Sequence, residues 1–161
     1  LLEKTVDWLV KKHRISTLYH LGDDYEDVMD LGDRYIDIVQ VPGTYHPKYK
    51  DGTLPAKVVE SVLGLQILLV HDMHKDLTDD DKLKVDIILF GHTHAYELRV
   101  EQGVLYLNPG HLKGALDKNM PPSFGLLDIQ DRAVTASIID LDFKELKTME
   151  LVRAENGLYK A

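Results

Sequence analysis

The sequence predicts a mixed α/β domain in which two sheets pack face to face with helices on the outside. Three observations predict it. Helical and strand patterns alternate early in the chain, strands dominate late, and metal-competent side chains recur where apolar strands end. With 161 residues, 44% hydrophobic and 29% charged, the chain has the size and composition of one globular domain with a real core.

Each element has its own signal. Residues 1–13 carry Leu2, Val6, Leu9 and Val10 on one stripe, which predicts a helix. Leu18-Tyr19-His20-Leu21 is a short apolar run that stops at Gly22-Asp23-Asp24. A polar helical stretch is expected over 26–34, then a strand over 36–41 that Pro42-Gly43 ends. Residues 44–57, with Pro47, Gly52 and Pro55, read as loop. Strands follow at 57–63 and 65–70, joined at Gly64, the second running into His71. Thr78 caps a short acidic helix holding Asp79, Asp80 and Asp81. An apolar strand over 86–90 ends at Gly91-His92-Thr93-His94. Segments 96–101 and 104–107 pair across Gln102-Gly103, and 124–129 pairs with 133–139 around Gln130-Asp131-Arg132.

Composition removes several function classes. Without cysteine there is no disulfide framework, thiolate zinc site or cysteine nucleophile. A formal net charge of -8 gives no electrostatic help to a polyanion and disfavours nucleic acid as a partner. The apolar runs at 67–70 and 87–90 are far too short to cross a bilayer, so no membrane partner is expected and a cytoplasmic location is the default. Self-association as a homo-oligomer stays open.

The chemistry-bearing pattern lies at strand ends. Asp23 follows 18–21, His46 follows 36–41, His71 follows 66–70, and His92 and His94 follow 87–90. Ligands of α/β sheets gather beyond the carboxyl ends of the strands. Asp and His delivered to one rim make a mixed oxygen and nitrogen site that suits Mn, Fe, Zn or Ni better than Ca or Mg. Gly91 permits a sharp turn by which His92 and His94 both reach adjacent ions. Asp23, with two oxygens, can bridge two ions about 3.5–4 Å apart. Taken singly, each His is more often a surface or capping residue, and Asp23 is turn chemistry. Their shared placement is what carries the argument.

At this point the sequence resembles a known family. His20-Leu21-Gly22-Asp23, Val41-Pro42-Gly43, Val70-His71, Gly91-His92-Thr93-His94 and Asn108-Pro109-Gly110 are similar, in order and spacing, to the blocks of calcineurin-like metallophosphoesterases. The small single-domain phosphodiesterases, and the retromer scaffold subunit that shares their fold, are the best match. The resemblance covers residues 1–140. It implies a four-layer αββα sandwich of two mixed sheets, one domain over 1–161, with the site at one edge. It also implies Asp23 as the carboxylate bridging two metals, His71 and His92 as ligands of the second, and His94 as a ligand of the first.

The departures from the family are specific. Its first block, an Asp-x-His ending the first strand, has no counterpart here. The expectation is that it lies upstream of Leu1, because losing a central strand would expose the edges of two neighbours. Where relatives read Gly-Asn-x-Asp or Gly-Asn-His-Asp, this chain has Gly43-Thr44-Tyr45-His46. Thr44 then stands at a metal-ligand position, Tyr45 where many relatives carry a catalytic His, and His46 is the candidate replacement. His111 follows Asn108-Pro109-Gly110 where a small Ser is common.

The function implied is that of a hydrolase, a metal-dependent phosphodiesterase. Two divalent ions, manganese first among the candidates, activate hydroxide for in-line attack on a small-molecule phosphodiester. His46 or His111 would protonate the leaving alkoxide. Specificity is expected in the loops 44–57 and 111–123. Two other readings stand beside it: a non-catalytic scaffold of the same fold, and a mononuclear metal-binding domain using His71, His92 and His94.

Overall fold

The computed structural model describes every residue except Asp33. Along the chain run helix α1 (Leu2–His13), strand β1 (Thr17–His20), a 3-10 helix (Tyr25–Leu31), β2 (Asp37–Gln40), α2 (Pro47–Lys50), β3 (Lys57–Val62), β4 (Leu65–Val70), α3 (Met73–Asp76), α4 (Asp79–Lys84) and β5 (Ile87–Phe90). Then come β6 (Glu97–Glu101), β7 (Val104–Asn108), β8 (Ser123–Ile129), β9 (Ala133–Asp140), β10 (Glu145–Ala154) and β11 (Gly157–Lys160).

The continuous apolar runs of β4, β5 and β7 make the parallel centre of a five-stranded sheet ordered β3-β4-β5-β7-β6, with antiparallel strands at both edges. Parallel strands are buried on both faces, and this composition permits it. On one face Ile67, Leu69, Ile87, Leu89 and Leu105 meet Val134, Ala136, Ile138 and Leu151 of an antiparallel sheet ordered β11-β10-β9-β8. Tyr19 and Val39, from the parallel pair β1–β2, join the same core. The other face of the five-stranded sheet packs Val70, Ile88 and Phe90 against Met73 and Leu77, around α3.

Helix α1 closes the fourth layer and shows how the smaller sheets are related. Its Val6 packs with Val28, Leu31, Leu18 and Ile38, on the outer side of β1–β2. Its Leu9 packs with Phe124, Ile139 and Leu126, on the outer side of β8 and β9. One helix thus spans both sheets, which lie side by side in a single layer. The expected αββα order holds: the five-stranded sheet is mixed, and the layer against it combines the parallel pair β1–β2 with the antiparallel β8–β11. Between β1 and β8 this layer is divided by a groove of about 990 Å³, lined by parts of both strands and reaching Asp23, His71 and His94.

Local details differ from expectation for physical reasons. The segment 44–57 is not all loop: Pro47 sits at the first turn of α2 and the His46 side chain caps it. The stretch after Tyr25 is a 3-10 helix rather than an α-helix. The hairpin β10–β11 had no sequence signal, because only Leu151 of β10 is buried and alternation is weak. Thr78 caps α4, as the sequence suggested, and Asp81 returns the bond to complete a capping box. Among the described residues no helix is long and apolar enough to cross a membrane.

Candidate functional site

The parallel register that pairs Val70 with Phe90 brings the next residues, His71 and Gly91, side by side at the carboxyl edge of the five-stranded sheet. The His71 side chain is almost fully buried, and its Nδ1 donates to the Leu21 carbonyl at 2.6 Å. Its Nε2 therefore keeps a lone pair that faces inward, 3.2 Å from His92 Nδ1 and 3.7 Å from Asp23 Oδ1. The second oxygen of Asp23 accepts a hydrogen bond from His94 Nε2 at 2.7 Å. One carboxylate thus faces imidazoles on two sides.

Charge states follow from these surroundings. Burial pushes His71 below the ordinary imidazole range, outweighing the Leu21 carbonyl and Asp23, which pull it up. A neutral imidazole is the form that binds metal. For Asp23, burial acts to raise the carboxyl. The hydrogen bond from His94, with His71 and Lys113 nearby, outweighs it and holds Asp23 below the usual value.

Glycines let the two rims approach. A Cβ at Gly22 would lie 2.4 Å from His71 Nδ1 and 2.8 Å from the Gly43 nitrogen, and the residue has φ +95°. A Cβ at Gly91 would sit 3.1 Å from the Leu21 carbonyl oxygen. Gly91 is thus needed for close approach, whereas the turn itself is made by His92 and His94, with φ 67° and 62°. Left-handed backbone at non-glycine residues is costly and gathers at functional sites. Buried Asn108 holds this turn in place, donating from Nδ2 to the Gly91 carbonyl and to Thr93 Oγ1, both at 3.0 Å.

The other sequence candidates are placed less centrally. His46 accepts from the Lys48 amide at Nδ1, so its Nε2 carries the hydrogen and donates to Glu26 at 3.0 Å. Thr44 is half-buried in the turn before it, and Tyr45 points to solvent, 77% exposed. His111 is buried with its ring centroid 5.6 Å from that of His94, but its nitrogens bond the Met120 carbonyl and the Lys113 amide.

Four residues enter that sequence reasoning passed over. Asp72, directly after His71, lies 3.7 Å from His92 Nε2. Lys113 Nζ lies 3.6 Å from Asp23 Oδ2. Asp117 is hydrogen-bonded to His94 Nδ1, and Lys118 Nζ donates to the His92 carbonyl at 2.7 Å. The last three sit in a loop of no regular pattern, so only its position after the Asn108 block marked it.

Among the described residues no group of three or more His, Asp or Glu side chains stands ready arranged around a metal ion. The donors nevertheless fit one. Two ligands of a tetrahedral ion with bonds of about 2.0–2.2 Å stand about 3.3–3.6 Å apart. His71 Nε2 is 3.2 Å from His92 Nδ1 and 3.7 Å from Asp23 Oδ1, close to that spacing. The 2.7 Å contact between His94 and Asp23 is a hydrogen bond, and shared ligation would part those atoms by roughly half an ångström or more.

Comparison with known proteins shows the family and the fold. The profile of the calcineurin-like phosphoesterase superfamily domain matches residues 2–132. Vacuolar protein sorting-associated protein 29 of Saccharomyces cerevisiae is 39% identical over 57 residues, which is 35% of this chain and 20% of that protein. The chain's match therefore spans about a fifth of the length of that curated relative. Among solved structures, wild-type Vps29 from Entamoeba histolytica complexed with zinc is 25% identical with TM-score 0.68, covering 93% of this chain and 88% of the other. A novel archaeal phosphodiesterase, 18% identical with TM-score 0.60 over 94% and 91% of the two chains, shares the fold.

Proposed function

Because the chain belongs to the calcineurin-like phosphoesterase superfamily, we propose that it is a metal-dependent phosphoesterase that hydrolyses phosphodiesters at a site for two divalent ions. The observation that carries this reading is the split geometry of Asp23, one oxygen toward His71 and the other toward His94. A carboxylate in that position suits two ions, with His71 and His92 on one side and His94 on the other. Ions held there would supply Lewis acidity toward a phosphoryl oxygen and a means of generating hydroxide near neutral pH, and manganese leads the candidates.

The chain's own residues shape what such a site does. Lys113, partly exposed beside Asp23 and Asp24, is placed to meet the negative charge of a substrate phosphate. Protonation of a leaving alkoxide is weakly served, since both nitrogens of His46 are engaged, with Lys48 and Glu26, and both of His111, with Lys113 and Met120. Diesters with leaving groups that need no proton are therefore the better substrates. The test is hydrolysis of an aryl phosphodiester with added Mn by the wild type and by His94→Ala, with metal content measured in both. Metal and rate falling together by at least about a hundredfold is the expected result. A folded His94→Ala protein that keeps both removes the site from where we place it.

A scaffold of the same fold is the second reading. Thr44 and the solvent-facing Tyr45, where relatives place a ligand and a catalytic His, favour it. So does the match to a vacuolar protein sorting-associated protein. Under that reading the wild type hydrolyses no ester even when loaded with metal.

A further inference from the structure

We propose that Asp117 is a positioning residue, whose carboxylate accepts a hydrogen bond from His94 Nδ1 and fixes that imidazole with Nε2 toward Asp23. The proposal rests on the metal-site reading above and adds a residue outside the blocks that define it. His94 needs such support. It sits in the left-handed region at φ 62°, at the end of a turn whose other arm, His92, is equally unusual at φ 67°. Backbone of this kind persists only when its surroundings over-determine it. Asn108 secures Gly91 and Thr93 but makes no hydrogen bond to the His94 ring, whose two nitrogens meet Asp23 and Asp117.

Asp117 is held in place by a device that does not use its side chain. Its backbone exchanges both hydrogen bonds with Met120, at 3.1 and 2.8 Å, across Lys118 and Asn119. Those two residues have φ 46° and 61°, the pattern of a tight two-residue reversal that prefers Asn or Gly. A lysine in such a place carries strain, and its contact offsets it: Lys118 Nζ donates to the His92 carbonyl at 2.7 Å. Successive residues of the reversal thus grip the two halves of the histidine turn, Asp117 on His94 and Lys118 on His92. The base of the loop is fixed by His111, which donates to the Met120 carbonyl at 2.8 Å. The carboxylate is therefore free of any part in shaping its own loop. What it does is act on His94.

An imidazole that binds metal through one nitrogen usually donates from the other to a carboxylate or carbonyl, which sets the tautomer and the ring angle, and loss of that partner costs about 10–100-fold in metal affinity. Two measurements test Asp117. The first is calorimetric titration with Mn and with Zn of the wild type, His94→Ala, Asp117→Asn and Asp117→Ala. The second is nitrogen-15 NMR of the imidazoles in metal-free protein, which reads the His94 Nδ1 hydrogen bond directly and needs no ion. Expected are a 10–100-fold weaker affinity in Asp117→Ala, an intermediate loss in Asp117→Asn, whose amide oxygen still accepts, and a shifted His94 Nδ1 resonance in both. The two backbone hydrogen bonds to Met120 remain, so melting temperature stays near that of the wild type. If His94→Ala loses metal while both Asp117 variants bind like the wild type with an unchanged His94 resonance, the positioning role is overturned and the metal site stands. If His94→Ala binds metal as well as the wild type, the site itself fails and the role of Asp117 at it falls too.

Discussion

The imidazole half of the site and its carboxylate half rest on unlike foundations. His71, His92 and His94 leave the ends of β4 and β5, whose residues are buried almost throughout and paired on both sides. Asp23 leaves β1, a four-residue strand that is half-buried along its length and, among the described residues, pairs with β2. The first half has its geometry imposed by the core. The second has it imposed by contacts with the first: the Leu21 carbonyl on His71, Gly22 and Gly43 against His71 and Asp23, and His94 on the Asp23 oxygen. A site assembled this way is rigid on one side and docked on the other, and its weakest points lie at the seam.

The seam should therefore break most severely. Gly22→Ala places a Cβ 2.4 Å from His71 Nδ1 and 2.8 Å from the Gly43 nitrogen, at a φ that L residues rarely adopt. We expect a loss of stability of about 2–4 kcal/mol and metal affinity reduced more than a hundredfold, measured by denaturant titration and calorimetry. A variant of ordinary stability with intact affinity would mean that the two rims are not closely apposed.

A change on the rigid side should cost less and act on the turn. Asn108→Ala leaves the Gly91 carbonyl and Thr93 hydroxyl without their buried donor and frees the Gly110 amide from Oδ1. The expected cost is about 1–3 kcal/mol, with weaker metal binding through His92 and His94 and none through a change at Asp23. Crystal or NMR data showing an unmoved histidine turn in that variant would count against the role given to Asn108.

These two sides also differ in how far the sequence exposed them. The ends of β4, β5 and β7 stood out because long apolar runs stop at His71, at Gly91-His92-Thr93-His94 and at Asn108-Pro109-Gly110. Period and punctuation there are local properties. Asp23 was visible as a residue after Gly22, but the reason for that glycine is His71, 49 positions away, and no local pattern reports it. Asp117, Lys113 and Lys118 were invisible for the same reason: their partners lie across a loop with no periodicity. Strand β10 escaped because its outward residues nearly all face water.

His46 belongs to the docked side but is tied to Lys48 and to Glu26, so removing it should do little at the proposed metal site. His46→Ala loses the cap of α2 and the pair with Glu26, a cost of about 0.5–2 kcal/mol by analogy with other caps. Equal small losses on aryl and alkyl diesters, independent of Mn, are expected. A loss that excess Mn restores would make His46 a ligand, and one confined to alkyl esters would make it a general acid.

The smallest expected effect is of pH on stability. Burial lowers both His71 and, within β1, His20 from their ordinary value near 6.5. The unfolded chain then takes up protons below about pH 6.5 that the folded chain refuses, so this contribution is whole above that pH and is lost as pH falls through the depressed values. Melting temperature of the metal-free protein should decline as pH drops below about 6.5, and His20→Asn should flatten part of that slope. A slope unchanged by His20→Asn would assign it to other groups.

One measurement tests the central claim most directly: Mn titration of the wild type and of Asp23→Asn, followed by metal stoichiometry and by aryl phosphodiester hydrolysis in the same samples. The account predicts two ions in the wild type, a rate that rises with their binding, and in Asp23→Asn a lost ion together with at least about a thousandfold lower rate. An Asp23→Asn protein that binds two ions and hydrolyses the ester like the wild type would contradict it.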